Sequence, residues 1–214
     1  SDKSLTARAV TGIFPAVSNN ELILTEDYEF HFPRQLMDKG IGSSQYSLAD
    51  FIAPKDDFIG LFAVSTGYGL ENIVEKFENQ NDDYNAIMVK VIADRLAEAL
   101  TERMHERIRK EFWAYADHEV LQIEELFQEK YEGIRPAPGY PACPDHSEKD
   151  KIWEILNVEE NSGIKLTENR AMYPAASVCG WYFSNPESKY FSVGSTLTET
   201  PGDIKIKKVQ SSIP

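Results

Sequence analysis

Residues 81–116 read NDDYNAIMVKVIADRLAEALTERMHERIRKEFWAYA. The stretch holds neither Gly nor Pro and is rich in Ala, Leu, Glu and Arg, so it predicts one long helix or two nearly continuous ones. Met88, Ile92, Leu96, Leu100, Met104, Ile108 and Phe112 recur at a spacing of four. Four residues turn a helix by about 400°, so this apolar stripe drifts by about 40° at each step. The helix is therefore expected to bury different faces at its two ends. Asp82 and Asp83 at its start and Arg107, Arg109 and Lys110 near its end suit the macrodipole.

On the N-terminal side the texture is different. Val10–Phe14, Glu21–Thr25 and Tyr28–Phe32 are short β-branched and aromatic runs, with Asn19-Asn20 as one turn between them. Together they predict an antiparallel meander with one buried face. Phe58–Ser65 is almost continuously apolar and is expected to be a central strand. Thr66-Gly67-Tyr68-Gly69 then leads into a helix-like Leu70–Phe77. On the C-terminal side, Val120–Tyr131 and Ser147–Leu156 read as further helices, the second with Ser147 as N-cap and Asp150 completing an acidic capping box. Ala171–Ser184 and Ser188–Gly194 return to strand composition across an Asn185-Pro186 turn. Strands, then helices, then strands, without βαβ alternation, predict an α+β fold: a twisted, mainly antiparallel sheet with a long central helix and flanking helices.

Composition narrows function. The 214 residues carry a formal net charge of −13, which excludes nucleic-acid backbones and anionic membrane surfaces as expected partners. No apolar run approaches the roughly 20 residues that span a bilayer, and Ser1–Val10 is unlike a secretory signal. A cytoplasmic chain with Cys143 and Cys179 reduced is the expectation. The four histidines show no metal-ligand spacing: His31 reads as a solvated strand residue, and His105 and His118 as helix-surface residues.

Two motifs invite chemistry. Thr66–Gly69 has the glycine turn of some nucleotide-binding folds, which would support a stand-alone S-adenosylmethionine-dependent methyltransferase acting on a small substrate; without the third glycine, an ordinary strand-to-helix turn is the simpler reading. Residues 133–146, GIRPAPGYPACPDH, hold four prolines and two glycines. Such a loop is stiff, and it can present the fork of Arg135 to a carboxylate. The plainer alternative is a connector whose Arg135 pairs with a nearby Glu.

At this loop the sequence resembles the activation domain of cobalamin-dependent methionine synthase, its C-terminal S-adenosylmethionine-binding module. Asp82–Lys90, Ala93–Ala99 and His105-Glu106-Arg107 resemble the family's long helix, Ser177–Ser184 and Ser188–Phe191 its closing strands, and Gly12–Ala16 and Leu48–Pro54 its opening. The resemblance implies a module that presents S-adenosylmethionine to a cobalamin-binding domain when cobalamin has oxidised from Co(I) to Co(II). An electron from flavodoxin or an equivalent reductase and the sulfonium methyl together restore the methylated cofactor. The module would thus be part of a methyltransferase, with corrinoid and substrate sites elsewhere. By residue, the resemblance implies that Arg135 meets the methionyl carboxylate, that Tyr140 lies beside the ligand, and that Tyr190 and Phe191 flank it. It implies that Glu98 and Glu129 lie near the sulfonium, and that Asp94, Glu71 and His146 face the cobalamin domain. No catalytic residue and no metal ligand is implied within the chain.

The sequence departs from the family pattern twice. The Asp-Trp-x-x-Phe-Phe stretch of the family's N-terminal portion is absent. The expectation is a single domain over residues 1–214 that lacks this portion. Residues 195–214 form a divergent tail, in which Ile204, Ile206 and Val209 suggest a last strand or arm.

Overall fold

Residues 57–68 supply the strand around which the rest is built. A computed structural model of the chain describes residues 5–36 and 45–194; the suggested strand at 204–209 lies outside them. Three strands come first in the chain: β1 (Thr6–Asn19), β2 (Leu22–Leu24) and β3 (Glu29–His31). β4 (Asp57–Tyr68) follows, and two helices succeed it, α1 (Leu70–Glu78) and α2 (Asp83–Arg107). Short helices α3 (Ile123–Phe127), α4 (Glu148–Leu156) and α5 (Val158–Ser162) lead to β5 (Lys165–Leu166), β6 (Met172–Tyr173) and β7 (Ser177–Tyr182). The main sheet runs β3-β2-β1-β4-β7, and every pairing is antiparallel. β5 and β6 form a separate two-stranded ladder. The α+β expectation holds.

β4 is buried on both faces because each face carries its own core. Ile59, Leu61 and Ala63 join Cys179, Trp181 and Phe183 of the β7 region, together with Ile152 and Leu156 of α4. The alternate residues Phe62 and Val64 pack with Tyr182, Met104 and Ile108 beneath the end of α2. The period of two thus sorts one strand into two cores. Cys143 and Cys179 are free and buried, and burial pushes both thiols up to about 12.

The long helix forms as expected and carries Asp82 as its N-cap, whose carboxylate accepts from the Asn85 N–H at 3.1 Å. It ends in a π-helical turn over Ile108–Phe112. The apolar stripe behaves differently from a buried seam. Met88, Ile92 and Leu96 are 37%, 48% and 45% exposed, and only further along do Met104 and Ile108 reach 9% and 0%. The drift of a four-residue spacing has this consequence. What α2 buries in its first turns is a row of small residues, Ala86, Ala93, Ala97 and Thr101. These let the helix lie close to the sheet, so close that the Thr66 hydroxyl donates to the Ala93 carbonyl at 2.7 Å.

Other expectations need correction. The helix expected over 120–131 is one short turn, Ile123–Phe127, with no buried residue. Ser147 precedes α4 but adopts helical dihedrals and makes no side-chain cap; Asp145 accepts from the Ser147 N–H at 2.7 Å instead, and Asp150 is drawn to Arg170. The strand expected over 171–184 is broken after Tyr173 by Pro174, and residues 188–194 form no strand. They are nevertheless tied down, since the Val193 N–H donates to the Pro141 carbonyl at 3.0 Å. His105 is not on the surface: it is fully buried. No described helix is long and apolar enough to cross a membrane.

Candidate ligand-binding cleft

The proline-rich loop is where the sheet gains its last edge. Ile134 and Phe183 exchange backbone hydrogen bonds at 3.1 and 3.0 Å, and the Trp181 N–H donates to the Pro136 carbonyl at 3.0 Å. Pro136 can lie along the edge of β7 because only its carbonyl is required there. Gly180 makes the approach possible, since a Cβ at that position would stand 2.3 Å from the Pro136 oxygen. The loop then closes on itself, with the Gly139 N–H donating to the Cys143 carbonyl at 2.8 Å and the Cys143 N–H to the Tyr140 carbonyl at 2.9 Å.

Between this loop, the middle of α2, the start of β7 and residues 190–191 lies a cleft of about 540 Å³. Asp94, Glu98, Arg135, Tyr140, Tyr190 and Phe191 all line it. Tyr140 stands 64% exposed at the cleft. The Tyr190 phenol oxygen accepts from the Arg135 backbone N–H at 3.0 Å, so the 190–191 segment and the loop hold each other. Phe191 packs its ring against Tyr46 and Phe51. Glu98 pairs with Arg95 at 2.7 Å on a solvated part of the helix.

Arg135 is the most constrained of these residues. Its Nη1 donates to the Tyr131 hydroxyl at 2.9 Å and to His105 Nδ1 at 3.1 Å, and its Nη2 donates to Glu102 Oε2 at 2.7 Å. The guanidinium also lies 5.4 Å from the centre of the Tyr131 ring. Burial opposes its charge, but Tyr131, Glu102 and Tyr190 outweigh burial and hold it above its ordinary value. Burial likewise pushes the Tyr131 phenol up, so it is a neutral acceptor for Arg135. The plainer reading of the loop holds in that Arg135 pairs with a nearby glutamate, and Arg135 also lines the cleft. Three of the five N–H donors of a guanidinium are engaged. Among the described residues, Nε–H and one Nη2–H have no hydrogen-bond partner.

The structure does not bring every expected residue to this place. Glu129 lies exposed in the turn after α3, outside the cleft lining. His146 is exposed and packs its ring on Gly139 at the back of the loop. Glu71 lines a neighbouring cleft of about 810 Å³, where it accepts from the Tyr173 hydroxyl at 2.6 Å; Asp94 and Ala175 are shared by the two clefts. Gly67 and Gly69 also line that second cleft. Gly67 belongs to β4, and a Cβ there would stand 2.4 Å from the Pro174 ring, so packing accounts for this glycine. Thr66–Gly69 is an ordinary strand-to-helix turn.

Sequence reading missed Glu102, His105 and Tyr131, the residues that grip Arg135. One signal was available for His105. Ala93, Ala97, Thr101 and His105 recur at a spacing of four, and a histidine that continues a row of small residues shares their buried face.

The family model described as the activation domain of vitamin B12-dependent methionine synthase matches residues 1–208. A crystal structure of the MetH reactivation domain bound to AdoHcy is 51% identical in sequence and superposes with a TM-score of 0.88. The match covers 91% of the present chain and 63% of that one.

Proposed function

The chain belongs to the activation-domain family of vitamin B12-dependent methionine synthase, and from that premise we propose that the cleft at Arg135 binds S-adenosylmethionine and presents its methyl group for reactivation of cobalamin. The observation that carries the proposal is the set of uncommitted Arg135 donors in a cleft that also holds carboxylates. S-adenosylmethionine has a carboxylate at one end and positive charge on its amine and sulfonium. Arg135 suits the carboxylate, and Glu98 and Asp94 suit the positive groups. Tyr140, Tyr190 and Phe191 offer ring surface beside the ligand. Binding orients the sulfonium methyl toward a corrinoid held by another domain, which supplies the electron-transfer and methyl-acceptor chemistry.

The partners follow from this role. The cobalamin-binding domain of methionine synthase docks across the mouth of the cleft, and Asp94, shared by the two clefts, and Glu71, in the neighbouring cleft, face it. Glu129 and His146, exposed outside the cleft lining, lie at the periphery of that contact. Flavodoxin or an equivalent reductase supplies the electron, and the setting is cytoplasmic. The formal charge of −13 suits a protein and a sulfonium as partners.

Isothermal titration of S-adenosylmethionine into the chain tests the proposal. Saturable binding to the wild type is expected, weakened about tenfold to a hundredfold by Arg135→Ala, the loss of a charge-assisted hydrogen-bond pair. Equal affinity in the two proteins would remove Arg135 from the site.

A further inference from the structure

Arg135 has a partner that neither its loop nor the cleft lining would suggest. His105 lies behind the cleft, fully buried, with Nδ1 at 3.1 Å from Arg135 Nη1. A guanidinium has donors only, so Nδ1 must be the acceptor and the ring proton must sit on Nε2. Nε2 in turn lies 3.4 Å from the Tyr115 hydroxyl, which is itself 3.3 Å from the Glu132 carbonyl. The ring has no freedom to turn: one face stacks on Tyr182 at 5.3 Å and 11°, and Tyr131 meets it edge-on at 5.0 Å and 81°. The neighbouring charges agree with a neutral ring. Burial comes first, and Arg109 and Arg135 reinforce it, in disfavouring the imidazolium.

We propose that His105 is a positioning residue for Arg135: as a neutral, Nε2-protonated acceptor it fixes the guanidinium, together with Tyr131 and Glu102, in the orientation that leaves Nε–H and one Nη2–H turned to the ligand carboxylate. This rests on the reading of the cleft as an S-adenosylmethionine site. An arginine side chain has several freely rotating bonds, and ordering it on binding costs affinity; anchoring it beforehand at three acceptors removes much of that cost. Glu102 alone would hold one nitrogen but leave the plane of the guanidinium free to turn about that contact. His105 and Tyr131 on the other nitrogen fix the plane.

The test compares two ligands and three proteins. Calorimetry measures S-adenosylmethionine and decarboxylated S-adenosylmethionine against wild type, His105→Phe and His105→Asn. Phenylalanine keeps the stacking and removes the acceptor, whereas asparagine places an oxygen close to the Nδ1 position. The expected result is a loss of about tenfold for S-adenosylmethionine in His105→Phe, no change for the decarboxylated ligand, and recovery of most of the loss in His105→Asn. His105→Phe binding S-adenosylmethionine as the wild type does would overturn the proposal. So would an equal loss for both ligands, which marks a merely structural residue. Long-range nitrogen–proton spectra of the wild type report the tautomer independently of any variant, and a proton on Nδ1 would also overturn it. A wild type that binds neither ligand sinks the functional reading itself, whereas wild-type binding with an indifferent His105→Phe sinks only the positioning role.

Discussion

Arg135 owes its orientation to Tyr131, four positions away, and to three residues distant in sequence. Glu102 and His105 come from α2, Tyr131 from the segment before the loop, and Tyr190 from the segment after β7. A further layer stands behind them. Arg109 has no side-chain exposure; it pairs with Glu119 at 2.8 Å and lies 4.7 Å from the centre of the Tyr131 ring, which Arg135 also approaches. The buried histidine has a consequence for stability. Its folded pKa lies well below 6.5, while in the unfolded chain it returns to about 6.5. Below that pH the unfolded state binds a proton that the native state refuses, so stability falls as pH falls, by up to about 1.4 kcal/mol per pH unit from this group. The contribution is fully present above about pH 6.5. Urea unfolding of wild type and His105→Asn between pH 5 and pH 8 on the order of unit steps should show a shallower acid slope in the variant; parallel curves would mean that His105 titrates normally.

At the scale of elements, the loop and β7 act as one piece. The contact rests on the bare Cα of Gly180, opposite the Pro136 oxygen. Gly180→Ala must push the loop away or bend the strand. A loss of roughly 1–3 kcal/mol in stability is expected, as for overpacking elsewhere, together with weaker ligand binding, because Arg135 is the residue before Pro136. Chemical denaturation and titration of the same variant check both; unchanged affinity at reduced stability would separate the loop edge from the site. The loop's stiffness was legible in its four prolines, and its proposed role at the ligand comes from the resemblance. What the sequence did not reveal was the docking of the loop on β7, because that depends on a glycine whose value appears only when the opposing carbonyl is known. The long helix shows the same limit. Its existence and its start were readable from the 36-residue stretch free of Gly and Pro, yet α2 ends at Arg107 rather than at the end of that stretch, and its buried face was not readable. The spacing-of-four stripe of large residues drew attention from the small residues that make the close contact, and His105 was misread as exposed with them.

Across the whole molecule, the antiparallel sheet gives two faces with two tasks. The face with Trp181, Phe32 and α4 is a dense aromatic and aliphatic core. The other carries α2, and along their shared edge the helix, β7 and the proline loop leave the cleft open. Five of the six residues expected at the ligand line that cleft, Glu98, Arg135, Tyr140, Tyr190 and Phe191, because this topology brings their elements together, and Asp94 lines it with them. Glu129 does not, since it lies exposed in the turn after α3. The most direct measurement is a crystal structure of the chain with AdoHcy. The ligand is expected in the cleft lined by Arg135, Tyr140 and Tyr190, with its carboxylate at hydrogen-bond distance from Arg135 Nε or Nη2 and His105 still bonded to Nη1. A ligand seated instead in the neighbouring cleft at Gly67–Glu71, with the Arg135 donors turned to solvent, would contradict it.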